Sequence, residues 1–176
     1  MSLIDSILNI FLGDKGKKDV KEVTPIVNSI LEIEDKLKDI SIDELREITI
    51  KFKEEISKIK SPFYVKIEEI KSQIKSSEDI DENESRYKKI EEIENDYLNK
   101  LDIYLDSILP KAFALVKETT KRFKNNEELV VKATVFDEKL SSNKSYVKIS
   151  GKNAVWSNSW DAAGKSIIWD MIHYDV

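Results

Sequence analysis

Apolar residues return every three or four positions along most of this chain, which predicts a mainly helical protein. Leu3, Ile4, Ile7, Leu8 and Phe11 share one face of residues 2–12, with Asp5, Ser6 and Asn9 opposite. Residues 19–39 repeat the pattern through Val20, Val23, Val27, Ile30, Leu31 and Leu37. Pro25 fits the first turns of that helix, where a missing N–H is no loss. Ser41 followed three residues later by Glu44 is a capping box, in which each side chain serves a backbone N–H at a helix start. The helix it opens aligns Leu45, Ile48, Phe52, Ile56 and Ile59, and Ser61-Pro62 is expected to end it and begin another.

From Phe63 to Ile108 the pattern predicts a helical hairpin. Phe63, Ile67, Ile70 and Ile74 line one arm, and the polar stretch "SSEDIDENES" is the expected bend. Tyr87, Ile90, Tyr97, Leu101, Tyr104 and Ile108 line the other at nearly a three-four repeat, broken by Glu94. That spacing is a coiled-coil seam. A protruding structural hairpin and a specific docking arm both fit it. In the next helix, residues 109–124, Pro110 suits the first turn, and Ala112, Phe113, Leu115, Val116 and Phe123 form a wide face for burial.

After Asn126 the pattern changes. "LVVKATVF", "SYVKIS" and "NAVW" are β-branched and aromatic with partial alternation, and "SSNK", "GKN" and "DAAGK" read as turns between them. "SIIWDMIHYDV" is the last β-like run. The three tryptophans, Trp156, Trp160 and Trp169, are expected to serve packing. The fold class is α+β, mainly α: N-terminal helices and a long hairpin, then a small antiparallel β-meander over 128–170.

Charge refines this picture. Residues 61–108 hold seven Lys/Arg against thirteen Asp/Glu, and the rest of the chain is close to balanced. No basic domain exists to carry nucleic-acid binding. No run of about 18 apolar residues is present to cross a membrane. The lysines that follow the apolar face of residues 2–12 (Lys15, Lys17 and Lys18) come on the wrong side of it for a signal peptide. An apolar-faced helix beside basic residues suits a membrane interface or a partner groove, and equally a helix packed on its own domain.

Candidate chemistry is sparse. The chain has no cysteine and one histidine, His173, so a zinc site lacks ligands and disulfides are excluded. His173 has Asp170 and Asp175 nearby but no nucleophile-elbow sequence. "AAGKS" at Ala162–Ser166 ends like a phosphate loop but lacks its first glycine, and reads as a turn. These 176 residues contain no complete active site, and no metal site is expected on them.

Three stretches in order resemble the SecA family of preprotein translocase motor ATPases. In "SIDELREITIKFKEEI" the matching residues are Ser41, Asp43, Glu44, Leu45, Arg46, Thr49, Phe52 and Lys53. "ILPKAFALVKETTKRF" contributes Leu109, Pro110, Ala112, Phe113, Ala114, Val116, Glu118 and Arg122, and "MIHYDV" is similar to the family's M-R-H-F-D-V. The resemblance implies an incomplete first RecA-like motor domain. Residues 1–18 would be an amphipathic helix and basic linker, 19–60 a helical N-terminal region and 61–108 an acidic hairpin insertion. Residues 109–125 would be a motor-domain helix, 126–170 a β insertion and 171–176 the start of an adenine-pocket strand. It further implies membrane and channel docking through Leu3, Ile4, Ile7, Leu8, Phe11, Lys15, Lys17 and Lys18. Met171 and Tyr174 would neighbour the adenine. Ile172 stands where the family pattern has arginine, so that guanidinium is missing.

The family's adenine-reading glutamine and Walker A lysine would follow Val176. The resemblance therefore gives ATP and magnesium to a longer parent, and the 176 residues alone are expected not to hydrolyse ATP. The implied partners are the SecYEG channel, preprotein, acidic lipids and a second copy of the parent, with no nucleic acid. The implied location is bacterial and cytoplasmic, peripheral at the inner face of the membrane. A free-standing helical interaction module without enzyme activity is the alternative reading.

Overall fold

The computed structural model describes residues 14–168. Among them helices α1 (Asp14–Leu37), α2 (Ile42–Ser76) and α3 (Ile80–Asn125) come first. Strand β1 (Glu128–Lys132), helix α4 (Val135–Ser141) and strands β2 (Val147–Ser150), β3 (Asn153–Ser157), β4 (Ser159–Ala162) and β5 (Lys165–Ile168) follow. The expected α+β class, mainly helical with a small antiparallel sheet, is what the chain adopts.

The chain divides into two compact units, Arg46–Leu109 and the pair Met1–Leu45 with Pro110–Val176. The first is helical and contains most of α2 and the first part of α3. Its core is Ile67, Ile70 and Ile90, with Ile74 and Ile93 packed against them. Phe63 and Tyr64 meet the Tyr97 ring at centroid distances of 5.8 and 6.0 Å, the tilted and edge-on arrangements aromatic pairs favour.

Several expectations are corrected here. Helices α1, α2 and α3 run unbroken through Pro25, Pro62 and Pro110, so Pro25 and Pro110 do not sit in first turns, and residues 109–124 continue α3 rather than start a new helix. Proline removes one backbone donor and crowds the carbonyl four residues earlier. Pro62 and Lys58 are both exposed, so water can serve that carbonyl. The bend is shorter than "SSEDIDENES": α3 begins at Ile80, because Asp79 caps it. Its Oδ1 accepts from the Glu82 N–H at 2.9 Å, and the Asn83 side chain donates to the Ser77 carbonyl at 2.9 Å. Tyr87 is exposed and not in the seam. Ile93 takes the seam position instead, and Ile90, Ile93 and Tyr97 then keep the three-four step without a break at Glu94.

In the second unit, β1 and β2 both pair antiparallel with β3, giving the order β1-β3-β2. Leu129, Val131, Val147 and Ala154 are the buried residues of this sheet. β4 and β5 form a separate hairpin, with Ser159 opposite Ile168 and Trp160 opposite Ile167. "AAGKS" is its turn, as the sequence indicated. Gly164 sits at φ +76, where only glycine is unstrained. The stretch "LVVKATVF" is not one strand. Thr134 and Asp137 form a capping box that starts α4, so the β-branched run ends at Lys132.

Candidate functional site

The Ser41–Glu44 capping box forms as its spacing predicts. The Ser41 N–H donates to Glu44 Oε2 at 2.7 Å and the Glu44 N–H to Ser41 Oγ at 3.2 Å. Hydrogen bonds from Ser41, first from its hydroxyl and then from its backbone N–H, hold the Glu44 carboxyl below its ordinary pKa. The neighbouring Asp43 turns elsewhere. Its Oδ1 accepts from the Lys132 N–H at 2.9 Å and ties the start of α2 to the end of β1.

A second group of polar contacts binds α3 to the end of α1. Arg122 Nη2 donates to the carbonyls of Leu37 at 2.9 Å and Lys38 at 3.3 Å. These carbonyls lie at the C-terminal end of α1, where a cation also interacts favourably with the negative end of the helix dipole. Arg122 Nε donates to Glu118 Oε1 at 2.6 Å, and Lys117 Nζ lies 3.3 Å from Glu34 Oε2. All four side chains are largely buried. Glu118 Oε2 is buried with no hydrogen-bond partner.

This clasp decides which face of α3 turns inward. Leu115, Glu118 and Arg122 fall on one side at steps of three and four, and Leu115 and Glu118 are buried with Ala114. Phe113 and Val116, expected to be buried, are 57% and 61% exposed.

The sheet holds the third polar centre. Asp137 is fully buried; its carboxylate accepts from Thr134 N–H and Oγ1 at 2.8 and 2.7 Å and from Trp156 Nε1 at 3.1 Å. Phe136 stacks on Trp156 at 6.4 Å and Tyr146 tilts against it at 6.2 Å. Beside them lies an apolar cavity of about 470 Å³ lined by Phe123, Lys144, Tyr146, Trp156, Ser157, Asn158 and Trp160.

The two hydroxyl–carboxylate pairs among these groups, Ser41–Glu44 and Thr134–Asp137, are both engaged in capping helix starts. Among the described residues no group of three or more His, Cys, Asp or Glu side chains is placed to hold a metal ion. No described helix is long and apolar enough to cross a membrane.

Most of the sequence-predicted site residues lie outside the described residues: Leu3, Ile4, Ile7, Leu8, Phe11, Met171, Tyr174 and also His173. Lys15, Lys17 and Lys18 fall at the start of α1, and of their side chains only that of Lys18 is described. It is exposed and lies 3.8 Å from Glu22. Sequence reasoning missed the roles of Glu34, Lys117 and Asp43. The signal it did contain was the Glu118/Arg122 pair, four apart on one helix face.

The SecA DEAD-like domain family matches residues 8–140, and the chain belongs to that family. It is 47% identical over 176 residues to the protein translocase subunit SecA of Flavobacterium psychrophilum, covering 100% of this chain and 16% of that protein. The figures for the SecA of Christiangramia forsetii are 46%, 100% and 16%. For that of Phocaeicola vulgatus they are 40% identity over 165 residues, 93% of this chain and 15% of that protein. The chain thus spans about a sixth of the length of these relatives. No solved structure matches it.

Proposed function

We propose that this chain is the N-terminal part of a SecA protein translocase subunit, a motor that drives preproteins through the SecYEG channel with ATP and magnesium. The observation that carries the reading is the 47% identity to a translocase subunit along the whole of this chain. In it, residues 2–12 and the lysines after them dock the subunit on acidic lipid and the channel. The apolar face Leu3, Ile4, Ile7, Leu8 and Phe11 enters the interface, while Lys15, Lys17 and Lys18 meet lipid phosphates. Met171 and Tyr174 provide one wall for the adenine. The clasp at Arg122 holds α1, which follows the docking segment in the sequence, against α3.

ATP brings the phosphoryl group whose transfer drives the motor. Its phosphates and magnesium would be held by a phosphate-binding loop, and no G-x-x-x-x-G-K-[ST] occurs in these 176 residues. The chain alone therefore shows no ATP turnover on this reading. It does co-float with vesicles of anionic phospholipid, and added salt releases it because screening weakens the lysine contacts. Ile7→Asp with Phe11→Asp should abolish flotation. Flotation that survives deletion of residues 2–12, or turnover by the purified chain, would overturn the reading.

A further inference from the structure

The polar contacts around Asp137 hold one wall of the aromatic cavity in place. A buried carboxylate is costly unless hydrogen bonds satisfy it. Asp137 accepts from Thr134 and from Trp156 Nε1, so it also fixes the Trp156 indole. Tyr146 tilts against the same ring. The backbone here is pinned as well: the Ser157 N–H donates to the Tyr146 carbonyl and the Asn158 N–H to the Glu127 carbonyl, each at 2.9 Å. Yet Phe123, Tyr146, Trp156 and Trp160, which line the cavity, are each only half-buried. Aromatic walls around about 470 Å³ of apolar space, one of them fixed by a buried carboxylate, form a preorganised pocket of the size that takes small molecules, roughly 300–1,000 Å³.

We propose that this cavity binds a small aromatic carboxylate, its ring among Tyr146, Trp156 and Trp160 and its carboxylate toward Lys144. The ring gains offset and edge-on contacts and covers aromatic surface that is half-exposed without it. Aromatic walls alone would suit a cation equally well. Lys144 decides against that: it is the one charged residue among the described residues of the lining, and it is exposed. Its ammonium repels a cation and attracts an anion, which can stay partly hydrated at the cavity mouth. Asn158, also in the lining, carries an amide that can donate to the same carboxylate. This binding site goes beyond the proposed function, since it uses neither nucleotide nor membrane.

The test titrates the whole chain by calorimetry at low salt with three probes that share one ring: indoleacetate, methylindole and tryptamine. Indoleacetate should bind saturably and tightest of the three, and tryptamine weakest. Lys144→Gln should weaken indoleacetate about three-fold, the scale of an exposed ion pair, and leave methylindole unchanged. Trp160→Ala should abolish binding of all three. Nuclear Overhauser effects from the bound indoleacetate ring should reach the ring protons of Tyr146 and Trp156. Lack of saturable binding overturns the proposal, as does tryptamine binding tighter than indoleacetate or an indoleacetate affinity indifferent to Lys144→Gln. If Trp160→Ala fails to fold, the Overhauser contacts decide: contacts to Tyr146 and Trp156 support the site, and contacts only elsewhere overturn it. No vesicle or nucleotide enters these readouts, so this inference and the docking reading can fail independently.

Discussion

The two compact units keep their charges in opposite ways. In Arg46–Leu109, ion pairs such as Lys58–Glu55, Lys71–Glu68 and Lys88–Glu84 join residues three or four apart on one helix, with both partners well exposed. In the other unit, Glu34–Lys117 and the bonds from Arg122 to the Leu37 and Lys38 carbonyls join segments more than eighty residues apart, and their side chains are largely buried. Exposed pairs gain little, because water screens them and two long side chains must be held still. Buried ones matter chiefly because removing one partner strands the other. The helical unit is thus held by its apolar seam, and the mixed unit adds polar contacts between distant parts of the chain to its own apolar core.

The sharpest way to break that contrast is Arg122→Ala. It strands the buried Glu118 and removes a donor from the Leu37 and Lys38 carbonyls, and should cost about 4 kcal/mol in chemical denaturation. A loss no greater than that of an exposed pair would remove the distinction. In the helical unit the large effect should come from carbon instead. Ile67→Ala opens a cavity in a core residue 3% exposed and should cost about 3 kcal/mol by the same measurement.

A smaller, pH-dependent effect sits where the units divide. Ser41→Ala removes a helix cap and should cost about 1 kcal/mol at neutral pH. The folded protein lowers the Glu44 pKa from 4.5, so this carboxylate's contribution is present above about 4.5 and fades as pH falls through its depressed folded value. Melting curves of Ser41→Ala and the unsubstituted chain should therefore converge in acid. A gap that widens in acid would mean that Glu44 is not the partner that matters. Smallest of all, Lys71→Ala should leave the melting temperature unchanged. Its amine has a raised pKa through the Glu68 hydrogen bond, but it is fully exposed.

The same contrast explains what the sequence made legible. Local spacing carried the helices, the Ser41–Glu44 box and the Gly164 turn, because each depends on residues within four positions of one another. It misled where one local signal outweighed another. Pro62 read as a helix end, yet an exposed proline leaves its carbonyl to water. The β-branched run through Val135 and Phe136 read as strand, yet Thr134 and Asp137 cap a helix there. Phe113 and Val116 read as buried because they are apolar, whereas the clasp at Glu118 and Arg122 turns their face outward. Asp43 bonds a backbone N–H 89 residues away, and no periodicity encodes that. Of the candidate site, the family was legible from ordered motifs, while the aromatic cavity depends on strand register that composition does not contain.

The proposed function makes residues 2–12 the part that docks a translocase motor at the membrane. The direct measurement is transport of a preprotein into inverted membrane vesicles by the full-length parent subunit, with and without residues 2–12. The deletion should sharply reduce transport and vesicle binding while basal ATP turnover in solution persists. Transport undiminished by the deletion would contradict the proposed function.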